Sequence, residues 1–304
     1  MKTPNISEAM LAVCAAALCH PVSANVVAHW TFDSKTDFDA GVVQDASGNG
    51  NDLSLVTLPN TAASERAEFV DLGEGLGAVR FNGTRNGESG DIAGQYFTTA
   101  SDAPINSMEF LDGYTVEVSF KVPGGYAPDV NRWMGMLAKT GKPSGDPAAV
   151  TTISNLGEIQ WQTQATGGRA EAVWSNVYFS EGSVFTGWNQ AAYINYPSEG
   201  AWNVEMYLDQ ILEPRNIIGE DHQGIENYGD APWVVGLGLW NNEPSSPFNG
   251  WINDIRILDR PLLPAEGDFA GFNSNLGVAP VPVPAALPLL VSALSGLGLM
   301  RRKG

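Results

Sequence analysis

The sequence predicts an all-β protein, an antiparallel jelly-roll β-sandwich, on three observations. The stretches GYTVEVSFKVP, EIQWQTQ and WNVEMYLDQ alternate apolar and polar residues, as strands with one buried and one solvent-exposed face do. PWVVGLGLW and GWINDIRILDR are β-rich and are bounded by Gly, Pro and Asn turns. Residues 26–260 show no helical stripe and no alternation of strands with helices, which favours antiparallel sheets over a parallel α/β fold.

Composition and charge narrow the class of ligand. The 304 residues are 43% hydrophobic, enough for a sizeable core in one large domain. The net charge is −18. Setting aside the four terminal cations (Lys2, Arg301, Arg302, Lys303) and Glu8 leaves 12 basic and 33 acidic residues in the body, a charge near −21. Such a surface repels nucleic acid and favours cations or neutral ligands, although acidity also simply keeps a secreted protein soluble.

The first 24 residues have the pattern of a secretory signal peptide, removed by signal peptidase. Lys2 gives a positive start, an apolar stretch runs from Ala9 to Cys19, and Val22-Ser23-Ala24 is a small-residue cleavage site. The mature chain would begin at Asn25. Because Cys14 and Cys19, the two cysteines of the chain, lie in this segment, the body has no thiol for a disulfide, a zinc site or a cysteine nucleophile.

Five landmarks in order resemble the laminin-G-like domains of the concanavalin A-like lectin/glucanase superfamily. They are VVAHWTFDSKTDFDAGVVQDASGNGNDLSL, GAVRFNG, YTVEVSFKVP, GWNQAAYINYPSEGAWNVEMYLDQ and FNGWINDIRILDRPLLPAE, and they cover about residues 26–270. The resemblance implies a jelly-roll domain over residues 25–276. The match departs between Thr84 and Gly113, where the link is longer than usual; a loop that long is often functional, or it is decoration.

The sequence does not carry the catalytic pattern that this resemblance would imply. Retaining glucanases of the superfamily place acids in a Glu-x-Asp-x-x-Glu strand motif, because two working carboxylates must sit about 5–5.5 Å apart, and that motif is absent. The nearest acids, Glu205, Asp209 and Glu213, are spaced by four and are expected on a solvated strand edge. Of the histidines that remain after signal removal, His29 is expected to be structural and His222 to lie in an acidic, wet turn. We therefore expect no enzyme activity.

Calcium is the one cofactor that the sequence suggests, as a structural ion. The resemblance implies a site between the N-terminal strand region and an Asp near the last strand. Asp254 matches the second position, and either Asp33 or a carbonyl of DASGNGND near Asn49 matches the first. The alternative is that the Asp and Asn residues of DASGNGND only form Asx turns, which these residue types favour.

Carbohydrate is the ligand class that the fold suggests. Sugars stack on exposed aromatic rings while Asn, Asp and Glu bind their hydroxyls. Trp240, in the loop sequence GLWNNEPSS, is the first candidate for a carbohydrate-binding residue, followed by Trp133 and Trp174. Trp188, Trp202 and Trp251 match or adjoin family strand positions and are expected to pack in the core or a hairpin.

The C-terminal segment 277–304 has its own organisation. A Pro-rich linker with the signature Val281-Pro282-Val283-Pro284-Ala285 precedes an apolar run from Ala285 to Met300 and a basic end, Arg301-Arg302-Lys303. This order is similar to the PEP-CTERM sorting signals of bacteria, in the VPLPA variant. The resemblance implies transient insertion in the inner membrane, cleavage near the signature by an exosortase-type enzyme, and delivery to the cell surface or matrix. An ordinary single-pass anchor is the alternative.

Three functions therefore stay open. The first is a secreted, surface-sorted, non-catalytic lectin-like domain that binds or organises extracellular polysaccharide. The second is a polysaccharide-active glycoside hydrolase or lyase with unrecognised residues. The third is a purely structural matrix or adhesion protein without a sugar site.

Overall fold

A computed structural model shows two antiparallel sheets packed face to face, which confirms the predicted all-β sandwich. It describes residues 26–85, 91–123, 133–141, 145–154, 156–165, 170–175, 187–209, 211–213, 217–241 and 243–262. The first sheet has nine strands in the spatial order β16 (Ile211–Leu212), β15 (Ala201–Leu208), β14 (Asn189–Ser198), β9 (Tyr114–Lys121), β21 (Asn249–Leu258), β5 (Leu76–Asn82) and β4 (Glu68–Gly73), with β1 (Val26–Thr31) beside β21 and β17 (Ile217–Glu220) beside β15.

The second sheet has eight strands. Their spatial order is β13 (Ala170–Trp174), β12 (Ile159–Gln164), β11 (Ala149–Ile153), β10 (Met134–Lys139), β18 (Trp233–Val235), β8 (Gln95–Thr99), β3 (Leu53–Thr57) and β2 (Val42–Val43). Two small pairs lie apart from the sheets, β19 (Leu237–Trp240) with β20 (Glu243–Pro247) and β6 (Thr84–Arg85) with β7 (Ile92–Ala93). Helical structure is limited to α1 (Lys35–Asp39) and the 3₁₀ turns Ala63–Glu65 and Pro104–Ser107 within the described ranges.

Aromatic rings from both sheets meet in the core. Trp161 of β12 stacks on Tyr193 of β14 with ring centroids 4.6 Å apart and planes 7° from parallel. The Trp161 Nε1–H donates to the Tyr114 hydroxyl of β9 at 3.1 Å, so the indole has a partner although it is fully buried. Phe81 of β5 and Phe97 of β8 also make contact between the sheets, edge to face with their ring centroids 6.2 Å apart. The alternation that predicted the strands therefore fixed which side chains lie between the sheets.

The polar face of β9 differs from the expectation of a wet surface. Val116, Val118 and Phe120 face the core as predicted, but Thr115, Glu117 and Ser119 on the opposite face are also fully buried. Glu117 accepts a hydrogen bond from Arg256 Nε of the neighbouring strand β21. Thr115 is held by the Arg260 carbonyl oxygen and the Leu262 amide, 3.0 and 2.8 Å away. The residues after β21 and a buried ion pair cover this face, which periodicity alone does not show.

The long link between Thr84 and Gly113 is largely ordered structure rather than a loop. It supplies β8, which pairs with β3 and β18 in the middle of the eight-stranded sheet. The Phe97 side chain of β8 is fully buried. Within the described residues, the departure from the family pattern thus contributes a sheet strand and part of the core.

One lysine is buried at the end of β10, in the eight-stranded sheet. Lys139 of β10 has no exposed surface, and its Nζ donates to the carbonyl oxygens of Asn106 and Ala231 at 2.6 and 3.1 Å. It thereby links two loops that are far apart in sequence. Burial lowers the pKa of the Lys139 ammonium to about 8, although the Asp230 carboxylate raises it.

Candidate sugar-binding face

Three glutamines follow the outer face of β12, the face turned away from the core. Ile159 and Trp161 point into the core, so strand alternation places Gln160, Gln162 and Gln164 on the opposite side. We call these three residues the amide ladder. Amide side chains offer both donors and acceptors, the groups that bind sugar hydroxyls. The amide ladder therefore has the chemistry of a polyhydroxylated ligand site.

Neighbouring strands extend this polar row. Gln160 is opposite Thr152 of β11 on one side and Trp174 of β13 on the other. The Thr152 hydroxyl lies 3.3 Å from Gln160 Oε1 and donates to it. Gln162 and Trp174 are half-buried and accessible from outside. The row thus combines amides, a hydroxyl and an indole on one surface.

Gln164 carries an unsatisfied oxygen. Its side chain is 9% exposed, and its Oε1 has no hydrogen-bond partner within the described part of the chain. A buried acceptor without a partner costs about 1–3 kcal/mol. Such a cost in a native structure calls for an explanation, and a ligand donor is one.

The two tryptophans Trp133 and Trp174 meet, although 40 residues separate them. Their ring centroids are 6.2 Å apart with planes at 70°, an edge-to-face pair. Both rings are half-buried. Trp133 has a left-handed backbone (φ 59°), which costs a bulky residue roughly 1–2 kcal/mol. Residues held in such conformations concentrate at functional sites.

The other half of the same outer face is covered by the β19–β20 hairpin. Leu237 and Leu239 of the hairpin pack on Ala138, Val150 and Val234 of the sheet. The hairpin lies so close to β10 that a Cβ on Gly135 would be 2.1 Å from the Gly238 Cα. Glycine is required there because the two backbones touch. The hairpin therefore divides the face into a covered apolar half and a polar half.

Trp240 is at the end of this hairpin and is 65% exposed. It stands opposite Glu243 and precedes Asn241, which has a left-handed backbone (φ 50°). No ring contact joins Trp240 to Trp133 or Trp174 among the described residues. The sequence therefore predicted three candidate tryptophans, and the structure brings two of them into contact and leaves the third on a projecting turn.

The tryptophans expected to serve packing are all half-buried. Trp251 lies on the nine-stranded sheet, with the Arg80 guanidinium 4.4 Å and the Lys121 ammonium 5.2 Å from its ring centroid. Both cations occupy the aromatic surface by cation–π contact. Trp188 and Trp202 are likewise half-buried.

Of the residues named as calcium ligands, Asp33 lies near Asp254, and Asn49 lies at the other end of β1. Asp33 accepts from the Gly77 amide at 2.8 Å, and the nearby Asp254 carboxylate adds to burial in raising the pKa of Asp33. Asp254 is bound by His29 Nε2 at 3.0 Å. The Asn49 amide instead donates to the Val26 and Val27 carbonyl oxygens at 2.7 and 3.0 Å, at the far end of β1. No group of three His, Asp or Glu in the described residues could hold a metal ion.

The turn DASGNGND is held by its own side chains. The Asp45 carboxylate accepts from the backbone amides of His29, Ser47 and Asn51 at 2.9–3.1 Å and from the Ser47 hydroxyl. The bond from the Ser47 amide is the Asx turn of the alternative interpretation, and the bonds from His29 and Asn51 join this turn to β1 and to the segment that leads into β3. A pocket of about 330 Å³ opens beside this turn, with Asp33, Asp37 and Phe38 among its lining residues.

The structure also shows the surroundings of the two histidines that were considered for catalysis. His29 is half-buried, and its Nε2 lies 3.0 Å from the Asp254 carboxylate. His222 is fully buried beside Thr163 (Oγ1 to Nδ1 3.3 Å), so the prediction of a wet turn is wrong. Its turn folds under the sheet end, where the Asn195 side chain donates to the His222 carbonyl oxygen.

The three spaced acids do not share one environment. Glu205 accepts from the hydroxyls of Tyr196 and Tyr207, each at 2.8 Å, and Glu213 is 4% exposed. The expected solvated edge is therefore wrong for Glu213. Sequence reasoning missed that Glu117 is buried near Asp254, whose carboxylate adds to burial in raising the pKa of Glu117. It also missed the amide ladder, although EIQWQTQ displays it once the inward direction of Trp161 is known.

The segments that carry the predicted signal peptide and sorting signal lie outside the described residues. These are residues 1–25 and 263–304, including Val281, Pro282, Val283, Pro284, Ala285, Arg301, Arg302 and Lys303. Within the described ranges no helix has the length and apolarity to cross a membrane.

Comparison with known proteins identifies similarity at the level of fold. No family model and no curated protein matches the chain. Solved structures similar to it include the binding domain of botulinum neurotoxin DC in complex with rat synaptotagmin II (TM-score 0.52, 11% identity, covering 80% of this chain and 50% of that chain). Others are the receptor binding domain of botulinum neurotoxin mosaic serotype C/D (TM-score 0.51, 12%, 81% and 50%) and a botulinum neurotoxin type C structure (0.50, 12%, 82% and 50%). The chain spans about half the length of these structures, and identities this low establish a shared β-rich fold and nothing finer.

Proposed function

We propose that this chain is a secreted, surface-sorted, non-catalytic lectin-like protein that binds or organises extracellular polysaccharide. The observation that carries the proposal is the polar half of the outer face, where the amide ladder and Thr152 adjoin the Trp133–Trp174 pair. Indole rings provide the apolar surface that a pyranose stacks on, and amides provide the hydrogen bonds that orient it. Cell entry of botulinum neurotoxin type C, one of the similar structures, depends on interaction with two ganglioside molecules, which supports a glycan role for this fold class.

A polysaccharide array tests this function. We expect the purified chain to bind at least one polysaccharide, and Trp174→Ala to weaken that binding roughly tenfold, since loss of an aromatic contact is worth about 1–1.5 kcal/mol. Trp251→Ala is the matched control, because that ring is half-buried on the other sheet and covered by Arg80 and Lys121. Equal losses in both variants, or no binding on the array, would refute the proposed site.

Absence of catalysis is part of the proposal and has its own measurement. The missing Glu-x-Asp-x-x-Glu motif supports it. If the protein were a glycoside hydrolase or lyase, the buried carboxylates Glu117 and Asp254 would be its candidate catalytic groups. A bound polysaccharide incubated with the chain should release no new reducing ends and no unsaturated products. Release that Glu117→Gln abolishes would establish the alternative, a glycoside hydrolase or lyase.

Delivery to the cell surface rests on the two terminal segments. Signal peptidase would cleave before Asn25, and an exosortase-type enzyme would cleave near Val281–Ala285 after transient insertion in the inner membrane. The intact mass of the mature chain, isolated from cells, decides both points. A product that keeps residues 286–304 would instead support the permanent single-pass anchor.

A further inference from the structure

We infer that the polar half of the outer face binds an uncharged, linear polysaccharide and rejects acidic ones, an inference that rests on the proposed function. Three observations carry it: the unsatisfied acceptor of Gln164, the composition of strands β11–β13, and the length of the amide ladder. Each restricts the ligand independently of the others.

The Gln164 oxygen favours a ligand that donates a hydrogen bond. Its Oε1 is buried and has no partner in the described residues. Sugar hydroxyls and acetamido N–H groups donate, whereas carboxylate and sulfate oxygens only accept. An acidic group at this position would place acceptor against acceptor without a shared proton. The site therefore favours a hydroxyl-rich, uncharged segment of glycan.

The charges on and around this face also disfavour an acidic ligand. The strands β11 (Ala149–Ile153), β12 (Ile159–Gln164) and β13 (Ala170–Trp174) contain no lysine or arginine, so these three strands supply no cation to an acidic sugar. Specific recognition of carboxylate or sulfate ordinarily uses Arg or Lys. The net charge of −18 repels polyanions at longer range.

The dimensions of the ladder indicate a chain rather than a single sugar. Gln160 and Gln164 are four residues apart on one strand, a separation of about 13 Å at 3.3 Å per residue. Trp174 is level with Gln160, so the aromatic contact and the free Gln164 oxygen lie at opposite ends. One pyranose ring cannot reach both ends. A linear oligosaccharide can.

Binding of the full chain to matched polysaccharides tests the inference. We expect an uncharged glucan or mannan to bind, with little change between about 20 and 300 mM salt, and its monosaccharide to bind at least tenfold more weakly. Uronic-acid and sulfated polysaccharides should not bind at either salt concentration. Binding confined to the acidic polymers would overturn the inference and leave the proposed function standing. No binding to any polymer would overturn both.

Gln164→Leu is the variant that tests the role of the unsatisfied Gln164 oxygen. It keeps the side-chain size and removes the buried polar group, so the melting temperature should stay the same or rise while the affinity for the uncharged polymer falls about fivefold. Gln44→Leu, at an exposed glutamine outside the two main sheets, is the control and should change neither. An affinity for Gln164→Leu equal to that of the native chain would remove Gln164 from the site. A variant that fails to fold leaves the decision to the polymer comparison above.

Discussion

Lys139 makes the stability of this protein depend on pH in an unusual direction. Its ammonium is fully buried, and burial lowers its pKa from 10.5 to about 8. Above pH 8 the folded lysine loses its proton, while the unfolded chain keeps it up to about pH 10.5. The unfolded state then binds more protons, so the free energy of unfolding rises with pH. At 1.36 kcal/mol per pH unit, the gain between pH 8 and 9.5 is about 2 kcal/mol.

Urea unfolding at pH 7, 8, 9 and 9.5 measures this gain, with Lys139→Met as the comparison. Methionine keeps the length of the chain and removes the titrating group, so its free energy of unfolding should change by less than about 0.5 kcal/mol over the same range. The series stops at pH 9.5 because ordinary tyrosines ionise near pH 10. Parallel curves for the two proteins would refute the reasoning, since Lys139 would then keep its proton when folded.

Three further predictions concern single positions. Gly236→Ala should lower the free energy of unfolding by more than about 3 kcal/mol, because φ is +83° and a Cβ would lie 2.2 Å from the Phe81 ring. Gly200→Ala, at φ +84° in open space, should lower it by only about 1–2 kcal/mol. Urea unfolding of both variants tests the difference. Trp240→Ala should change the melting temperature by less than about 2 °C in a thermal scan, because that ring is 65% exposed. Burial raises the pKa of Glu117. Its contribution to the free energy of unfolding is therefore complete below pH 4.5 and falls as pH rises through the folded pKa. Glu117→Gln should remove this fall in the free energy of unfolding, as measured by urea unfolding at a series of pH values between 4 and 7.

Periodicity predicted the strands well because one face of each must enter the core. It placed Val116, Val118 and Phe120 inside correctly. It could not show that the opposite face is covered too, because burial of Thr115 depends on residues nearly 150 positions later. The same limit explains His222: a polar, acidic turn looks wet until the fold places it against Thr163.

The candidate site could be predicted by residue type more easily than by arrangement. Trp133 and Trp174 were singled out because they are tryptophans outside the family strand positions. Their contact depends on the order of strands β10 to β13, which a single sequence does not specify. The amide ladder was visible as alternating glutamines. Its meaning depends on which face is inside, and Trp161 decides that through its stacking on Tyr193.

The last strand of the sandwich has a consequence for how the chain is made. β21 pairs with β1, β5 and β9, so the centre of the nine-stranded sheet is closed by residues 249–258. Until those residues have been synthesised, β1 lacks the partner it pairs with some 225 positions later. Contacts this distant in sequence slow folding, because a large loop must close first. The centre of the nine-stranded sheet can therefore close only after β21 has been synthesised, late in the synthesis of the domain.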